Sequence, residues 1–505
     1  MIQNILCFLE ESAKSYPDKK AFADEHTSLT YREFLDLSRR IGGYLGKKTA
    51  PRRPIPVLTE KNVFALASFM GIVHAGCFYI YLDSSQPSGR LNQILDTLQA
   101  DLMIADSKSL KLAGELSFPG EILDLESLKS LPDDRDTAAI LNAIRSQALD
   151  TDPLYGIFTS GSTGVPKGVV VGHRSVIDFF EHFTEMFRIT SQDVIGNQAP
   201  FDFDVSVKDI YSTLKTGATM EIIPKKLFSI PTGLLDYLCD RQITTAIWAV
   251  SALCIITTLK GFTYRVPTHL NKILFSGEVM PVKHLNLWRS HLKDATFVNL
   301  YGPTEITCNC TYYVVDREFE PGSAIPIGLP FPNEQVFLLD DEDRLVTEPG
   351  VCGELCVAGT ALALGYYRNP ERTAAAFVQN PLNLAYPETI YRTGDLACYG
   401  ADGLLYFQSR KDFQIKHMGH RIELGEIEAA MEAVDGVDRA VCIFLEEKNK
   451  IAAFYEGYAD KRQIITGLEN RLPRYMFPNI YKYLSELPIT KNGKTDRQAL
   501  RRLYG

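Results

Sequence analysis

Apolar and polar positions follow two periods along the first 300 residues. Short apolar runs typical of buried strands occur at residues 55–58, 102–105, 154–158, 169–171, 220–223, 246–248 and 272–275. In other stretches apolar residues recur every three or four positions, which indicates helices at residues 34–45, 63–75 and 175–187. Strands that alternate with helices predict a layered α/β architecture.

The first of these helices has a recognisable start. Thr30 precedes it and Glu33 follows three residues later, which is the arrangement of a capping box. The pattern therefore predicts that the chain enters a helix at this point.

The pattern changes at about residue 313. Strand-like segments such as residues 336–339 and 353–357 are then punctuated by Gly and Pro, which indicates a β-rich subdomain up to residue 408. Residues 409–412 separate it from a tail, residues 413–505, with its own alternation of strand and helix. A chain of 505 residues is too long for one core, so we expect this tail to form a small second domain.

Composition excludes several classes of protein. A formal charge of -9 gives no general attraction to nucleic acid or acidic membranes. No apolar run reaches the roughly 18 residues that suggest a membrane helix, and the N-terminus lacks the pattern of a signal peptide. The ten cysteines and nine histidines have no zinc-site spacing. We expect a cytoplasmic protein that neither binds nucleic acid nor inserts into a membrane.

The loop between the strands at 154–158 and 169–171 has the chemistry of a phosphate site. It contains Thr159, Ser160, Gly161, Ser162, Thr163, Gly164 and Lys167. Glycines let backbone amides turn inward, hydroxyls add donors, and Lys167 adds a charge. A strand rather than a helix follows, which disfavours a P-loop NTPase. A flexible hairpin that binds nothing is the other interpretation.

A second polar segment, residues 299–305, follows a predicted strand at 295–298. Ligands of α/β proteins commonly bind at such strand ends. Tyr301 is suited to stack on a base, Thr304 to donate to a phosphate, and Glu305 to hold Mg²⁺. A Gly-Pro turn with a solvated Glu305 is the alternative.

Two further segments present carboxylates. Residues 391–395 are predicted as a polar turn in which Asp395 would accept hydrogen bonds from two ribose hydroxyls, or would be an ordinary turn residue. In residues 201–206, strand-like alternation would place Asp202 and Asp204 on one face and the aromatic residues on the other. Such buried carboxylates need a cation, which an amine-bearing ligand would supply.

Lys494 ends a Gly-containing turn near the C-terminus. A flexible ammonium suits the neutralisation of charge that develops in nucleotidyl transfer. A solvated lysine is the alternative.

Taken together and in this order, these segments resemble the ANL superfamily of adenylate-forming enzymes. The segments are residues 159–168, 203–206, 299–305, 391–395, 412–428 and 492–494. Within the superfamily the chain is similar to the amino-acid adenylation enzymes of nonribosomal peptide synthetases and to D-alanine:D-alanyl carrier protein ligases. The resemblance implies a large N-terminal α/β domain at residues 1–408, a hinge at 409–412 that includes Asp412, and a small mobile α+β domain at 413–505.

The resemblance also implies roles for individual residues. The implied ATP contacts are Thr159, Ser160, Gly161, Ser162, Thr163, Gly164, Lys167, Asn299, Leu300, Tyr301, Gly302, Pro303, Thr304, Asp395, Phe407, Arg410 and Lys494. Among them, Asp395 and Arg410 would hold the ribose. Glu305 would hold Mg²⁺, and Lys494 would be the catalytic residue that bridges the substrate carboxylate and the α-phosphate.

For the amino-acid substrate, the resemblance places Asp204 opposite the α-amine. The side-chain pocket would comprise Val205, Lys208, Leu274, Ser276, Leu300, Cys308 and Asn309. Lys208 would favour an acidic or polar substrate if it faced the pocket, and a small one if it faced solvent. We expect it to face solvent, which makes D-alanine a leading candidate.

The activity implied by the resemblance is AMP-forming ligation. An amino acid and ATP would give an aminoacyl-adenylate, and the phosphopantetheine thiol of a separate carrier protein would accept the aminoacyl group. Two alternatives are an acyl-CoA synthetase for a non-amino acid and a catalytically silent nucleotide-binding protein. A buried Asp204 argues against the first, and the joint presence of Lys494, Glu305 and Asp395 argues against the second.

Overall fold

The structure is a computed structural model that describes residues 2–132, 136–160, 165–320, 322–411, 414–488 and 496–504. Three of the predicted site segments fall outside these ranges. They are residues 161–164 of the phosphate loop, the hinge residue Asp412 and the catalytic candidate Lys494.

The strands within the described ranges are β1 (Lys20–Ala23), β2 (Ser28–Thr30), β3 (Pro54–Thr59), β4 (Phe78–Asp83), β5 (Leu102–Ala105), β6 (Glu121–Asp124), β7 (Pro153–Thr159), β8 (Lys167–Gly172), β9 (Val194–Asn197), β10 (Thr219–Ile222), β11 (Thr245–Ala249), β12 (Lys272–Ser276), β13 (Thr296–Tyr301), β14 (Thr311–Val314), β15 (Leu329–Pro330), β16 (Glu334–Leu339), β17 (Leu345–Val346), β18 (Cys352–Gly359), β19 (Gly365–Tyr366), β20 (Phe377–Gln379), β21 (Thr389–Tyr399), β22 (Leu405–Arg410), β23 (Gln414–His417), β24 (His420–Glu423), β25 (Val437–Leu445), β26 (Lys450–Gly457) and β27 (Ile480–Tyr483).

The α-helices in the same ranges are α1 (Leu6–Ser15), α2 (Tyr31–Gly46), α3 (Val63–His74), α4 (Ser88–Leu98), α5 (Leu110–Glu115), α6 (Leu125–Lys129), α7 (Thr137–Ser146), α8 (His173–Met186), α9 (Val205–Thr216), α10 (Pro231–Asp240), α11 (Val250–Thr258), α12 (Val282–His291), α13 (Pro370–Ala376), α14 (Leu424–Glu432), α15 (Lys461–Glu469) and α16 (Arg497–Tyr504). None of these helices is both long and apolar enough to cross a lipid bilayer.

Two large sheets form the N-terminal part of the molecule. One has the strand order β19-β8-β7-β4-β3-β5-β6, and the other β15-β14-β13-β12-β11-β9-β10-β1-β2. Within the second sheet, β10, β9, β11, β12 and β13 pair in parallel. The carboxyl ends of these strands therefore meet at one edge, where α/β proteins place their ligands.

Helices α3 and α9 lie between the two sheets. Every residue of α3 except Phe64 is buried, as expected of a helix that is apolar on nearly all sides. Its Phe69 ring stacks on Tyr79 of β4 with centroids 4.2 Å apart, and the Tyr79 hydroxyl lies 2.9 Å from that of Tyr211 on α9. Met220 of the other sheet belongs to the same core cluster. The N-terminal end of α9 is thereby held at the ligand edge.

A third sheet follows, built from β16, β17, β18, β20, β21 and β22. The C-terminal part comprises the β23–β24 hairpin and a sheet of β25, β26 and β27. Helices α14 and α15 pack on one face of that sheet, through Ile427 and Leu468. Leu487 and Leu500 pack on its other face. The hairpin and α14 thus lie across the sheet from the residues that flank the Lys494 segment.

The structure confirms the α/β layering, the β-rich segment and the capping box. The Thr30 hydroxyl accepts from the Glu33 amide and the Glu33 carboxylate accepts from the Thr30 amide, so α2 begins at Tyr31. Strand β22 continues to Arg410 in its pairing with β21, so the last strand of the N-terminal part runs into the predicted hinge.

Two local predictions are wrong. Residues 391–395 are not a turn, because they lie within β21, where Asp395 pairs with Arg410 of β22. Gly394 adopts a φ of 71° and the pairing with β18 is irregular there, so the glycine produces a bulge and the strand continues.

The second wrong prediction is the alternation of residues 201–206. The chain turns before α9, and the two carboxylates point to different partners. Asp202 accepts from Gln86 at 2.6 Å and Asp204 from Thr304 at 2.7 Å. The start of a buried helix replaces the strand that the period-two pattern suggested.

Candidate active site

The site lies where β12 and β13 end and α9 begins. Residues from these elements and from the β23–β24 hairpin enclose a cavity of about 30 Å³. The lining residues are Phe203, Asp204, Val205, Ser276, Gly277, Gly302, Pro303, Thr304, Cys308, Asn309, Asp395, Arg410, Gln414, Lys416, Gly419 and Arg421. Much of the predicted site is therefore brought together, although its members are far apart in the sequence.

Asp204 is a nearly buried carboxylate at the start of α9, with 8 % of its surface exposed. The Thr304 hydroxyl donates to its Oδ2 at 2.7 Å, and the Cys308 thiol donates to its carbonyl at 3.4 Å. Burial raises the pKa of Asp204, while the charge of Lys208 and the bond from Thr304 oppose the rise. A carboxylate accepts up to about four hydrogen bonds, so capacity remains for an ammonium.

Glu305 is completely buried and lies between cations. Its Oε1 accepts from Lys167 at 3.0 Å and from the Tyr366 hydroxyl at 2.8 Å. Its Oε2 accepts from the Arg421 guanidinium at 2.7 Å. Burial alone would raise the pKa of Glu305, but Arg421 and Lys167 hold it well below its usual range. The carboxylate is therefore ionised and tied to both parts of the molecule.

Glu305 also fits the predicted role of a magnesium ligand. Mg²⁺ commonly uses one or two protein carboxylates and completes its shell with substrate phosphates and water. Among the described residues, no group of three or more His, Cys, Asp or Glu side chains is placed to hold a metal ion, so Glu305 would serve as a single protein ligand. Because Arg421 engages Oε2, coordination through that oxygen requires Arg421 to withdraw.

Asp395 is the second buried carboxylate of the cavity wall. Arg410 donates to its Oδ1 and the Tyr301 hydroxyl to its Oδ2. The Tyr301 and Phe407 rings lie 6.4 Å apart between centroids. The structure thus brings together the residues predicted to hold the ribose and those predicted to contact the base.

The β23–β24 hairpin of the C-terminal part forms one wall of the cavity. The Gly419 amide donates to Glu278 at 2.7 Å, and the Ser160 hydroxyl donates to the Arg421 carbonyl at 2.7 Å. The Lys416 ammonium lies 5.5 Å from the centroid of the Tyr301 ring. Burial lowers the pKa of Lys416, and Asp395 opposes that change. Two cationic side chains of the hairpin, Lys416 and Arg421, thus reach the predicted nucleotide site.

A buried ion pair holds the C-terminal part in this orientation. Arg90 of α4 donates to Glu426 of α14, and their side chains are 4 % and 2 % exposed. Gly89 lies so close to the C-terminal part that an added Cβ would stand 2.3 Å from the Asn470 carbonyl oxygen. The two parts therefore meet without intervening side chains at this point.

Some predicted site residues lie outside the cavity lining. Asn299 donates its amide to the Pro326 carbonyl at 2.8 Å. Leu274 and Leu300 belong to the core between the sheets. The side-chain pocket candidates that do line the cavity are Val205, Ser276, Cys308 and Asn309.

The expectation that Lys208 faces solvent is wrong. Only 1 % of its surface is exposed, and its ammonium donates to Asn309 Oδ1 at 2.8 Å and to Ser276 Oγ at 3.3 Å. The reason is the position of α9, which is buried on every side along residues 205–214. A lysine one turn after Asp204 has no solvent-facing side to occupy. The position of Lys208 therefore does not support a small substrate side chain.

Sequence reasoning assigned no role to Arg421, Lys416 or Tyr366. Arg421 lies within one of the segments that carry the family resemblance, but nothing local shows that its hairpin packs on Glu305. Tyr366 lies in the short strand β19, which pairs with β8 and so approaches Lys167. These contacts depend on topology and on the relative orientation of the two parts.

This two-part α/β fold, with a polar cavity lined by both parts, is of the adenylate-forming type. Residues 9–367 match the family described as AMP-binding enzyme, and the chain belongs to this family.

Individual relatives cover different shares of their own length. The chain is 31% identical over 506 residues to D-alanine–D-alanyl carrier protein ligase of Staphylococcus haemolyticus, covering 98% of each chain. It is 31% identical to tyrocidine synthase 1 of Brevibacillus parabrevis, covering 97% of this chain but 44% of that protein. Among solved structures, a four-domain nonribosomal peptide synthetase bound to AMP and glycine has a TM-score of 0.71 and 27% identity, covering 98% of this chain and 36% of that one. The chain therefore corresponds to one segment of the longer relatives.

Proposed function

We propose that the protein is an AMP-forming ligase that activates an amino acid. ATP and the amino acid give an aminoacyl-adenylate and pyrophosphate, and the aminoacyl group is then transferred to the phosphopantetheine thiol of a separate carrier protein. Family membership supports use of ATP. The similarity to a carrier protein ligase along nearly the whole of both chains supports the acceptor.

The observation that carries the proposal is the position of Asp204. This buried carboxylate lines the same cavity as Thr304, Asp395 and Arg410. A carboxylic acid without an amine would leave Asp204 without a cationic ligand, whereas an amino acid supplies one. An amine site beside a nucleotide site is what aminoacyl-adenylate formation requires.

In the first step, Asp204 holds the α-amine and so orients the substrate carboxylate towards the α-phosphate. One carboxylate oxygen attacks the α-phosphorus and pyrophosphate leaves. The Thr304 hydroxyl, which donates to Asp204 in this structure, turns to donate to the phosphate, and Asp395 accepts from the ribose hydroxyls. Lys494 offsets the charge that accumulates at the reacting phosphorus. Magnesium, when held by Glu305, supplies further charge neutralisation on the phosphates.

In the second step, the thiol sulfur attacks the acyl carbon, a thioester forms, and AMP leaves. We assign the orientation of this structure to that step. In this orientation Arg421 donates to Glu305. Helix α14 packs on one face of the C-terminal sheet, and the residues that flank the Lys494 segment pack on the other face. A rotation of the C-terminal domain about the segment that contains Asp412 would withdraw Arg421 from the site and bring Lys494 into it.

The first test measures amino-acid-dependent exchange of pyrophosphate into ATP. The wild type should exchange with at least one amino acid, and Lys494→Ala should abolish exchange while ATP binding persists. Asp204→Asn, which keeps the shape and removes the charge, should lower kcat/KM by roughly 30- to 5,000-fold, because it leaves the substrate ammonium unpaired at a cost of about 2–5 kcal/mol.

A matched pair of substrates separates the proposal from its alternatives. Asp204→Asn should affect an amino acid far more than the corresponding acid without the amine. Equal losses for both would contradict the amine contact and favour an acyl-CoA synthetase. The absence of exchange with every amino acid would favour a silent nucleotide-binding protein.

A further inference from the structure

Lys208 lies next to the candidate substrate pocket. It lies on α9 one turn after Asp204, so the two side chains leave the same face of the helix. Its ammonium bonds Ser276 and Asn309, and both of these residues line the cavity. The ammonium is therefore one hydrogen bond away from the space that a substrate side chain would enter.

The hydrogen bonds that Lys208 makes determine whether Ser276 and Asn309 present donors or acceptors to the pocket. An ammonium only donates, so the Asn309 amide must turn its oxygen towards Lys208 and its NH₂ group away from it. The Ser276 oxygen also accepts from Lys208, which leaves the hydroxyl proton to donate elsewhere. Ammonium, amide and hydroxyl thus form a set of donors. A carboxylate is the side-chain group that only accepts.

Charge leads to the same conclusion. Both acceptors that the described residues give Lys208 are neutral. Of the carboxylates that act on it electrostatically, Asp204 is the one expected to pair with the substrate amine. The other, Asp209, is bonded by Asn197 at 2.6 Å, and burial raises its pKa to about 8. Once the substrate ammonium engages Asp204, Lys208 loses part of the compensation that Asp204 gives it, and a carboxylate on the substrate side chain would restore that compensation.

We propose that the substrate is an amino acid with a carboxylate on its side chain, and that Lys208, with Ser276 and Asn309, is its specificity determinant. This inference rests on the proposed amino-acid activation. Burial lowers the pKa of the Lys208 ammonium, and an incoming carboxylate would offset the cost of keeping it charged.

The test uses pairs of substrates that differ in charge and not in shape. Pyrophosphate exchange of the full chain is measured with aspartate, asparagine, glutamate, glutamine and alanine, each as both stereoisomers. At least one acid should exceed both its amide and alanine by about 30-fold or more in kcat/KM, as expected for a buried charge pair.

Two variants assign the preference to Lys208. Lys208→Met, similar in length but uncharged, should reduce the ratio of acid to amide by about the same factor. Lys215→Met is the matched control. Lys215 also lies on α9, but it does not line the cavity, and its ammonium lies 2.6 Å from the carboxylate of Glu181. It should leave the ratio unchanged.

Each outcome bears on a distinct claim. If the wild type exchanges best with alanine or with an amide, the inference fails and the proposed function stands. An acid preference that persists in Lys208→Met would refute the role of Lys208. If no amino acid supports exchange, both the proposed function and this inference fail. The wild-type ratios need no variant, so the substrate claim stays testable even if Lys208→Met does not fold.

Discussion

The buried ion pair between Arg90 and Glu426 should control the second half-reaction and leave the first nearly unchanged. These residues belong to different parts of the molecule, and the pair forms in the orientation in which the hairpin lines the cavity. We expect Arg90→Met and Glu426→Gln each to disfavour that orientation.

The magnitude follows from the burial of the pair. With side chains 4 % and 2 % exposed, removal of one partner takes away the opposite buried charge of the other, at a cost of about 3–5 kcal/mol. The molecule avoids this cost by separating the two parts, since both side chains then reach water. A cost of about 3 kcal/mol lowers the ratio of docked to separated molecules by roughly 100-fold. The double variant Arg90→Met/Glu426→Leu should recover much of the docked orientation, because both charges of the pair are removed together.

The assay separates the half-reactions. Pyrophosphate exchange reports adenylate formation, and single-turnover loading of a phosphopantetheinylated carrier protein from preformed adenylate reports transfer. Each single variant should slow transfer by about 100-fold and change exchange by less than about threefold.

A pair of glycine variants tests the same contact without altering charge. Gly89→Ala would place a Cβ 2.3 Å from the Asn470 carbonyl oxygen, so the two parts must move apart. Gly114→Ala, also on a helix but with nothing within 4 Å of the added carbon, is the control. If Gly89→Ala and the Arg90 and Glu426 variants all transfer at the wild-type rate, or slow exchange as much as transfer, this orientation is not the one used for transfer.

Two further perturbations follow from the structure. Arg421→Ala removes the bond to Glu305 Oε2, so the rate of transfer should fall by more than about 30-fold and the rate of exchange should fall less. The ratio of the transfer rate to the exchange rate measures this difference. Equal losses in both rates would contradict a role of Arg421 in transfer. Asp202, bonded by Gln86, has its pKa raised to about 6 by burial and by the nearby Asp83. Since the unfolded pKa is about 3.9, its contribution to stability is fully present below that pH and is lost as pH rises through about 6. The Tm of Asp202→Asn relative to wild type should therefore increase from pH 4 to pH 7, and a constant difference would refute the shift.

The sequence allowed accurate prediction where the cause is local. The capping box of Thr30 and Glu33 and the strands around the phosphate loop depend on neighbouring residues, and they form as expected. Lys208 shows where this reasoning stops. Its place in the sequence pattern and its charge are compatible with a solvent-facing helix position. Lys208 is buried because α9 lies between two sheets. Asp395 is similar, because strands β18 and β22 on either side of it convert an apparent turn into a bulged strand.

The carboxylates of the site and their partners Lys167 and Arg410 were predictable, whereas the cations of the C-terminal hairpin were not, and the reason bears on the mechanism. Asp204, Glu305 and Asp395 all come from the N-terminal part, whereas Lys416 and Arg421 come from the C-terminal hairpin. Withdrawal of Arg421 alone would leave completely buried Glu305 with one of its two cations, Lys167, which is a costly change in a buried site. If Lys494 enters the site as Arg421 leaves it, as the proposed function requires, one cation replaces another. The reorientation between the half-reactions then proceeds without a net loss of positive charge from the site, and the C-terminal domain needs a cation on each of the two faces that it presents.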